Sequence, residues 1–218
     1  RLATERLGNE SAGVMVMDIR SGDILALAST PGFDPNAFNY GLAQDDWDRL
    51  VTDTRKPLMN KAVSGQYPPG STFKVIVALA ALEAGVVNAG HRVFCNGEIE
   101  LGNHTFHCWK KGGHGNMTMT QAIEQSCDVY FYDIARRTGI DRISEMARRF
   151  GLGTTIDLGL GIERPGLMPS REWKLARKGE SWQVGETLIT GIGQGFVLTT
   201  PAQLAVMTAQ IANGGFRV

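Results

Sequence analysis

The pattern of apolar and polar positions divides the chain into a β-rich beginning and a helical remainder. The segment Ala12–Ile19 is apolar and β-branched, and a second such run, Asp23–Ser29, follows after a turn that contains Gly22. Two such runs around a glycine turn predict a β-hairpin. Later in the chain, helical spacing and cap residues predict helices over 71–83, 118–125, 128–137, 142–149, 170–177 and 202–212.

Three other segments have a different character. Residues 30–60 are rich in Pro, Gly, Asn and Asp, which is typical of a connecting region, with a short helix near 45–51. Residues 88–115 are irregular, and residues 216–218 read as a strand that the chain does not finish. The sequence therefore predicts an α/β (α+β) fold in which helices flank an incomplete antiparallel sheet, in one domain over 1–218.

Composition and charge exclude several classes of protein. The 218 residues include 22 Lys or Arg and 22 Asp or Glu, so the formal net charge is zero. Nucleic-acid binders usually carry a basic excess, and we expect no nucleic-acid partner. The longest apolar run, Val75–Leu82, has eight residues, whereas a membrane helix needs roughly 18. The chain begins at Arg1 without an initiator or signal pattern, so we expect it to be an excised piece from which any targeting or anchoring segment is missing.

The chemistry of the sequence centres on one Ser-x-x-Lys motif. Of the nine serines, only Ser71 is followed three positions later by a lysine, Lys74. On a helix these positions share a face, so the hydroxyl and the amine can approach each other. Serine needs an adjacent base to act as a nucleophile, and burial favours the neutral amine that could serve. The helix that follows is apolar on every face over Val75–Leu82, which predicts burial on all sides and draws Lys74 inward. A capped, exposed helix start is the alternative interpretation of the motif.

The context of the motif resembles a known family. The segment Tyr67–Lys74, with Pro68-Pro69-Gly70 before the serine, resembles the active-site motif of class B penicillin-binding proteins. More narrowly, the chain is similar to penicillin-binding protein 2, the elongation-specific branch, at 13–18, 22–26, 109–115, 139–142, 168–174 and 191–195. The resemblance covers essentially the whole chain and about the first two thirds of the transpeptidase domain. It implies the penicillin-binding protein/β-lactamase-like transpeptidase fold, here truncated at its C-terminal end.

The resemblance implies roles for individual residues. Ser71 matches the acylated nucleophile and Lys74 its general base, and Ser126-Cys127-Asp128 matches the second motif, usually Ser-x-Asn. Ser126 would pass a proton to the leaving group. Asp128 departs from the usual Asn and would either bind the substrate amide or stay with Lys74 as its charge partner. The third motif, Lys-Thr/Ser-Gly, is absent, and its expected place is past Val218.

The resemblance also implies an activity. The protein would be a D,D-transpeptidase that cross-links peptidoglycan stem peptides during cell elongation through an acyl-enzyme, and β-lactam antibiotics would acylate the same serine. It would be a periplasmic domain held by an inner-membrane anchor, with a SEDS glycosyltransferase of the RodA type and the elongation machinery as partners, and with no organic cofactor. A penicillin-binding sensor or pseudoenzyme, or a serine β-lactamase, remains as an alternative. The segment Glu163-Arg164-Pro165-Gly166 lacks the Glu-x-x-Leu-Asn pattern of β-lactamases that deacylate with a loop glutamate.

Four further residues form a candidate metal site. Cys95, Cys108, His114 and Cys127 fall within 33 positions and make a complete Cys₃His set for a structural zinc, although the spacing is not that of a zinc finger. The related elongation transpeptidases have Asp, His and Cys ligands at matching places. A Cys95–Cys108 disulfide with a free Cys127, or three buried thiols, are the competing interpretations. His107 could replace Cys108 or His114 as a ligand.

One glycine-rich motif could be mistaken for a phosphate loop. The segment Gly191–Gly195 (GIGQG) lacks the Gly-Lys-Ser/Thr ending of a P-loop and the spacing of a dinucleotide fingerprint. The sequence therefore predicts an ordinary turn here.

Overall fold

The structure, a computed structural model, describes residues 1–160 and 162–218. The chain divides into two compact units. The terminal unit comprises residues 1–67, 154–166 and 199–218, and the central unit comprises residues 68–153 and 167–198. No helix within the described ranges combines the length and the apolar character that crossing a bilayer requires.

Helices and short strands make up the regular structure of the described residues. The helices are α1 Leu2–Leu7, α2 Asn36–Asn39, α3 Gln44–Thr52, α4 Lys61–Ser64, α5 Lys74–Glu83, α6 Met119–Glu124, α7 Asp128–Thr138, α8 Ile140–Arg149, α9 Arg171–Lys178, α10 Val184–Gly191 and α11 Pro201–Ala212. The strands are β1 Ala12–Met17, β2 Ile24–Thr30, β3 Arg92–Cys95, β4 Glu98–Leu101, β5 His104–His107 and β6 Gly115–Thr118. A 3₁₀ turn, Gly70–Phe73, immediately precedes α5.

The terminal unit is built on the predicted hairpin. Strands β1 and β2 pair antiparallel, with Ala12 opposite Thr30, which confirms this prediction. Helices α4 and α11 pack against β1. Small side chains at the contact let helix and sheet backbones approach closely, and the buried residues there are Ala62, Val63 and Ala202.

The central unit is a cluster of helices around α7, which packs against α5 and α10, while α5 also packs against α8. Eight of the residues of α7 are buried, so this helix forms the middle of the unit. The prediction that α5 is buried on all sides is only partly correct. Its first turns are buried, but Leu82 is 38% exposed because the last turn of the helix reaches the surface.

Side-chain caps fix several of the predicted helix boundaries. The Thr118 hydroxyl accepts a hydrogen bond from the Gln121 N–H at the start of α6, and Thr200 does the same for Gln203 at α11. Ser170 caps α9 through the Trp173 N–H. Each cap satisfies a backbone donor that the first turn of a helix leaves without a partner.

The prediction that residues 88–115 are irregular is wrong. This segment contains β3, β4 and β5 and leads into β6. β3 pairs with β6 and β4 pairs with β5, both antiparallel. The strands have only four residues each, so each shows at most two periods of alternation. The exposed Phe94 in β3 and the consecutive polar residues His104 and Thr105 in β5 interrupt even this pattern. Residues 216–218 are not a strand in the structure, and α10 was not predicted.

Candidate active site

Ser71 and Lys74 lie at the junction between the 3₁₀ turn and α5. The stiff Pro68-Pro69 pair precedes the turn, which leaves Ser71 exposed at its second position. Lys74 begins α5 and is only 2% exposed, which agrees with the prediction that the apolar helix draws this lysine inward. The serine therefore faces solvent while the lysine three residues later points into the unit.

A chain of hydrogen bonds connects the two residues through Ser126. The Ser126 Oγ lies 2.8 Å from the Ser71 Oγ, and the Lys74 Nζ lies 2.9 Å from the Ser126 Oγ. Within residues 1–160 and 162–218, Lys74 makes no direct hydrogen bond to Ser71, contrary to the simplest expectation from their shared helix face. The second motif inserts a hydroxyl between them.

The Lys74 ammonium is fully coordinated by oxygen atoms. Its Nζ donates to the Ser126 carbonyl oxygen at 2.9 Å, to the Ser126 Oγ and to the Asp128 Oδ1 at 2.7 Å. An ammonium has three N–H donors, and each has an acceptor here. The other Asp128 oxygen, Oδ2, accepts the backbone N–H of Trp109 at 3.0 Å. Both oxygens of the Asp128 carboxylate are therefore held inside the protein, one of them by Lys74.

Ser126 occupies a backbone conformation that serine rarely adopts. Its φ is 53°, in the left-handed region. The Ser126 N–H bonds to the Ile123 carbonyl and the Cys127 N–H to the Ala122 carbonyl, which is the Schellman arrangement at the end of α6. Glycine is the usual residue at this position, because a Cβ in the left-handed region costs roughly 1–2 kcal/mol. A strained, non-glycine residue at a helix end is typical of a functional site.

Trp109 contributes to the site and was not identified as a site residue from the sequence. Besides its N–H contact to Asp128, its indole Nε1 lies 3.1 Å from the carbonyl oxygens of both Gln125 and Ser126. Its place at the start of the 109–115 segment, which carries part of the family resemblance, and directly after Cys108 was the available signal. This signal assigned no role to the side chain until the structure brought these segments together.

The turn Gly191–Gly195 contacts the backbone immediately before Ser71. The Gly70 N–H donates a hydrogen bond to the Gly193 carbonyl at 2.9 Å. Gly193 has a φ of 71°, and a Cβ at this position would collide with the backbone of Gly70. The predicted turn is confirmed, and its glycine allows two backbones to meet immediately before Ser71.

The four candidate metal ligands converge in the central unit. The Sγ atoms of Cys95, Cys108 and Cys127 and a ring nitrogen of His114 all lie within 4.8 Å of one another. The His114 Nδ1 is 3.6 Å from the Cys95 Sγ and 3.5 Å from the Cys108 Sγ. A tetrahedral zinc with ligands at the usual distances would place its ligand atoms about 3.5–3.8 Å apart. The four residues therefore fit a tetrahedral metal ion.

The protonation chemistry of this cluster reflects its burial. All three cysteines are free thiols and almost fully buried. Burial raises the pKa of the Cys127 thiol to about 12, partly offset by a hydrogen bond from the Tyr130 backbone and reinforced by the neighbouring Cys95. Burial also lowers the pKa of His114, with Lys110 acting in the same direction. His107 is not in the cluster, since its side chain is 70% exposed and its Nδ1 pairs with Glu98 at 3.1 Å.

Comparisons with known proteins show the family of this chain. Residues 12–218 match the family model of the penicillin binding protein transpeptidase domain. Peptidoglycan D,D-transpeptidase MrdA of Escherichia coli K12 is 42% identical over 211 residues, which cover 96% of this chain and 33% of that protein. This chain belongs to the penicillin-binding protein transpeptidase family, and it spans about a third of the length of its curated relatives.

Two solved structures share the fold of the chain. The crystal structure of Pseudomonas aeruginosa PBP2 in complex with WCK 5153 has a TM-score of 0.93 at 44% identity and covers 98% of this chain and 47% of its own. The complex between PBP2 and MreC from Helicobacter pylori has a TM-score of 0.93 at 38% identity, with coverages of 97% and 40%. The resemblance to penicillin-binding protein 2 and the mixed helix–sheet fold are thereby confirmed.

The left-handed backbone of Ser126 predicts an unusual response to substitution. Ser126→Gly should unfold at higher urea concentration than Ser126→Ala, with a free energy of unfolding larger by about 1 kcal/mol, because glycine adopts this φ without strain. Both variants remove the same hydroxyl, so urea denaturation of the pair isolates the backbone effect. An alanine variant as stable as the glycine variant would show that the conformation carries no strain.

The contact between Gly193 and Gly70 yields a second stability prediction. Gly193→Ala should lower the free energy of unfolding more than Gly85→Ala does, by about 1–3 kcal/mol, because its Cβ has no room beside Gly70. Gly85 is the matched control, since it also has a positive φ, 64°, but open space around it at the far end of α5. Chemical denaturation measures both. Equal losses would mean that backbone strain alone, and not the close approach, explains the need for glycine.

Proposed function

We propose that this chain carries the acylation half-site of a peptidoglycan D,D-transpeptidase. The observation that supports this most directly is the hydrogen-bonded series Ser71 Oγ, Ser126 Oγ and Lys74 Nζ, with steps of 2.8 and 2.9 Å. These hydrogen bonds connect an exposed nucleophile to a buried lysine along a path that a proton can follow. An activated serine of this kind forms an acyl-enzyme and so divides one difficult step into two.

In the first step, the Ser71 Oγ attacks the carbonyl carbon of the D-Ala–D-Ala amide in a stem peptide. A hydroxyl both donates and accepts hydrogen bonds, so reversing the two bonds of Ser126 carries the Ser71 proton to Lys74. The lysine accepts this proton in its amine form, and the Asp128 Oδ1, 2.7 Å from the Lys74 Nζ, stabilises the ammonium that results. Asp128 is thus the charge partner of Lys74 and not a ligand for the substrate amide.

In the second step, the proton returns along the same path. The amide C–N bond breaks, and the terminal D-Ala leaves after its nitrogen takes the proton from Lys74 through Ser126. The amine of a neighbouring stem peptide then attacks the ester, forms the cross-link and restores the Ser71 hydroxyl. A β-lactam enters the first step in place of the stem peptide and remains on Ser71 as an ester.

Two other functions share this chemistry. A sensor or pseudoenzyme would stop at the acyl-enzyme or fail to form it, whereas a β-lactamase would hydrolyse it rapidly. The Glu163 carboxylate accepts hydrogen bonds from the backbone N–H groups of Asp157 and Leu158, so it stabilises the loop that contains it. This argues against a β-lactamase that deacylates with this glutamate. The rate of deacylation after labelling with penicillin separates the β-lactamase from the other two. An assay of stem-peptide cross-linking by the full-length protein then separates the transpeptidase from the sensor or pseudoenzyme.

The acylation chemistry predicts which variants lose penicillin labelling. In the full-length protein, Ser71→Ala should abolish covalent binding of fluorescent penicillin, and Lys74→Ala should slow it about 100-fold or more, because a positioned base contributes that much. Intact-mass measurement locates the adduct. Ser181→Ala, at an exposed serine, is the control and should label at the normal rate. An adduct on the Ser71→Ala protein would overturn the assignment.

We further propose that Cys95, Cys108, His114 and Cys127 hold a structural zinc. The support is the convergence of three buried thiols and an imidazole, a complete ligand set whose ligand atoms all lie within 4.8 Å of one another. The protein supplies all four ligands, which leaves no open position for water, so the metal would fix geometry only. Cys127 follows Ser126 directly in the chain, and Cys108 precedes Trp109. The cluster therefore anchors two segments that line the Ser71 site.

The zinc proposal predicts stoichiometry and ligand identity. Protein purified without chelator should contain about one zinc per chain by elemental analysis, and denatured, chelated protein should show three titratable thiols. His114→Ala should lose the metal, whereas His107→Ala should retain it, since His107 lies outside the cluster. A metal-free protein with a single titratable thiol would support the Cys95–Cys108 disulfide instead.

The setting of the enzyme is part of the same proposal. The activity requires access to peptidoglycan, so we place the chain in the periplasm, on a protein anchored in the inner membrane. Partners would be a RodA-type SEDS glycosyltransferase and the elongation machinery, and the complex of the H. pylori relative with MreC supports the latter. The zero net charge is consistent with the absence of a nucleic-acid partner.

A further inference from the structure

Trp109 lies between the Ser71 site and the thiol cluster, and none of the roles described so far accounts for its contacts. Its side chain is 64% exposed, so burial of apolar area does not explain its orientation. Its ring packs against His114 with centroids 5.3 Å apart at 68°. Its two N–H groups point in the other direction, toward the second motif.

Both N–H groups of Trp109 donate to groups that Lys74 also contacts, namely the Asp128 carboxylate and the Ser126 carbonyl. The backbone N–H donates to the Asp128 Oδ2 at 3.0 Å, while Lys74 holds Oδ1. The indole Nε1 is 3.1 Å from the Ser126 carbonyl oxygen, and the Lys74 Nζ is 2.9 Å from the same oxygen. A carbonyl oxygen has two lone pairs, so these donors occupy both. Trp109 and Lys74 together fix the peptide plane that follows Ser126.

This peptide plane controls where the Ser126 hydroxyl points. Ser126 has a left-handed backbone with a φ of 53°, which relaxes unless its surroundings hold it. We propose that Trp109 is a positioning residue for the reaction of Ser71: its indole N–H locks the Ser126 carbonyl and thereby keeps the Ser126 Oγ between Ser71 and Lys74. This inference rests on the proposed acylation of Ser71.

Two simpler roles make different predictions. If Trp109 only covers His114, its substitution should change metal content or stability and leave the rate of acylation alone. If its exposed ring only contacts the ligand, its substitution should weaken the initial binding of the β-lactam. A positioning role instead lowers the rate constant of acylation within the bound complex.

The test compares two tryptophans that both donate an indole hydrogen bond. In the full-length protein, Trp109→Phe keeps an aromatic ring beside His114 and the backbone N–H but removes the indole N–H. Trp182→Phe is the matched control, since its Nε1 donates to the Thr187 Oγ1 at 2.8 Å, away from the Ser71 series. Stopped-flow acylation with a chromogenic β-lactam separates the dissociation constant of the first complex from the acylation rate constant, and zinc content and the unfolding midpoint are measured alongside.

We expect Trp109→Phe to lower the acylation rate constant about tenfold, the effect of losing one hydrogen bond, with an unchanged dissociation constant and zinc content. Trp182→Phe should match the wild type in its acylation rate constant, its dissociation constant and its zinc content. Trp109→Tyr, which also lacks the indole N–H, should show the same loss if the phenylalanine variant folds poorly. An unchanged rate constant, a loss confined to the dissociation constant, or a loss that follows the zinc content would overturn the inference. A wild-type protein that is not acylated at Ser71 would instead contradict the proposed function.

Discussion

The burial of one lysine ammonium is the constraint that the rest of the central unit satisfies. Lys74 is almost completely removed from solvent, and an uncompensated buried charge costs several kcal/mol. The three oxygens around it come from the junction of α6 and α7, which is more than 50 residues away in the sequence. The packing of α5 against α7 is therefore required both for stability and for chemistry, because the same contacts neutralise the charge and assemble the site.

The supports of this arrangement come from segments that have little regular structure of their own. Trp109 reaches the α6–α7 junction from the loop after β5, and Gly193 meets Gly70 from the turn after α10. Neither contact buries much apolar surface. Their effect is geometric, because each fixes a backbone atom adjacent to a reacting serine. The site thus combines a rigid helical pair with two loop contacts that set its final alignment.

Much of this could be predicted from the sequence where the signal was local or where motifs were specific. Ser71 and Lys74 stood out by spacing, and Thr118 and Thr200 marked helix starts by their hydroxyls. The short strands β3 to β6 were missed because four residues give at most two periods of alternation, and the exposed Phe94 interrupts the pattern in β3. Trp109 was missed as a site residue because its role depends on backbone carbonyls of a distant segment, which no side-chain pattern reveals. Ser126 was found by its motif, whereas its left-handed backbone became visible only in the structure.

The convergence of the three thiols has a consequence for the maturation of the protein. The four proposed ligands lie at the end of β3, in the loop after β5 and at the start of α7, so they are distant from one another until the central unit has formed. In an oxidising compartment, exposed thiols pair with one another, and a premature Cys95–Cys108 bond would remove two ligands. Once the central unit has folded, the same three cysteines are almost fully buried, and burial shields their sulfur atoms from oxidants and from other thiols. For the proposed zinc site in an exported protein, the yield of metal-loaded protein would therefore be set during export, by the competition between folding with zinc and oxidation of the thiols.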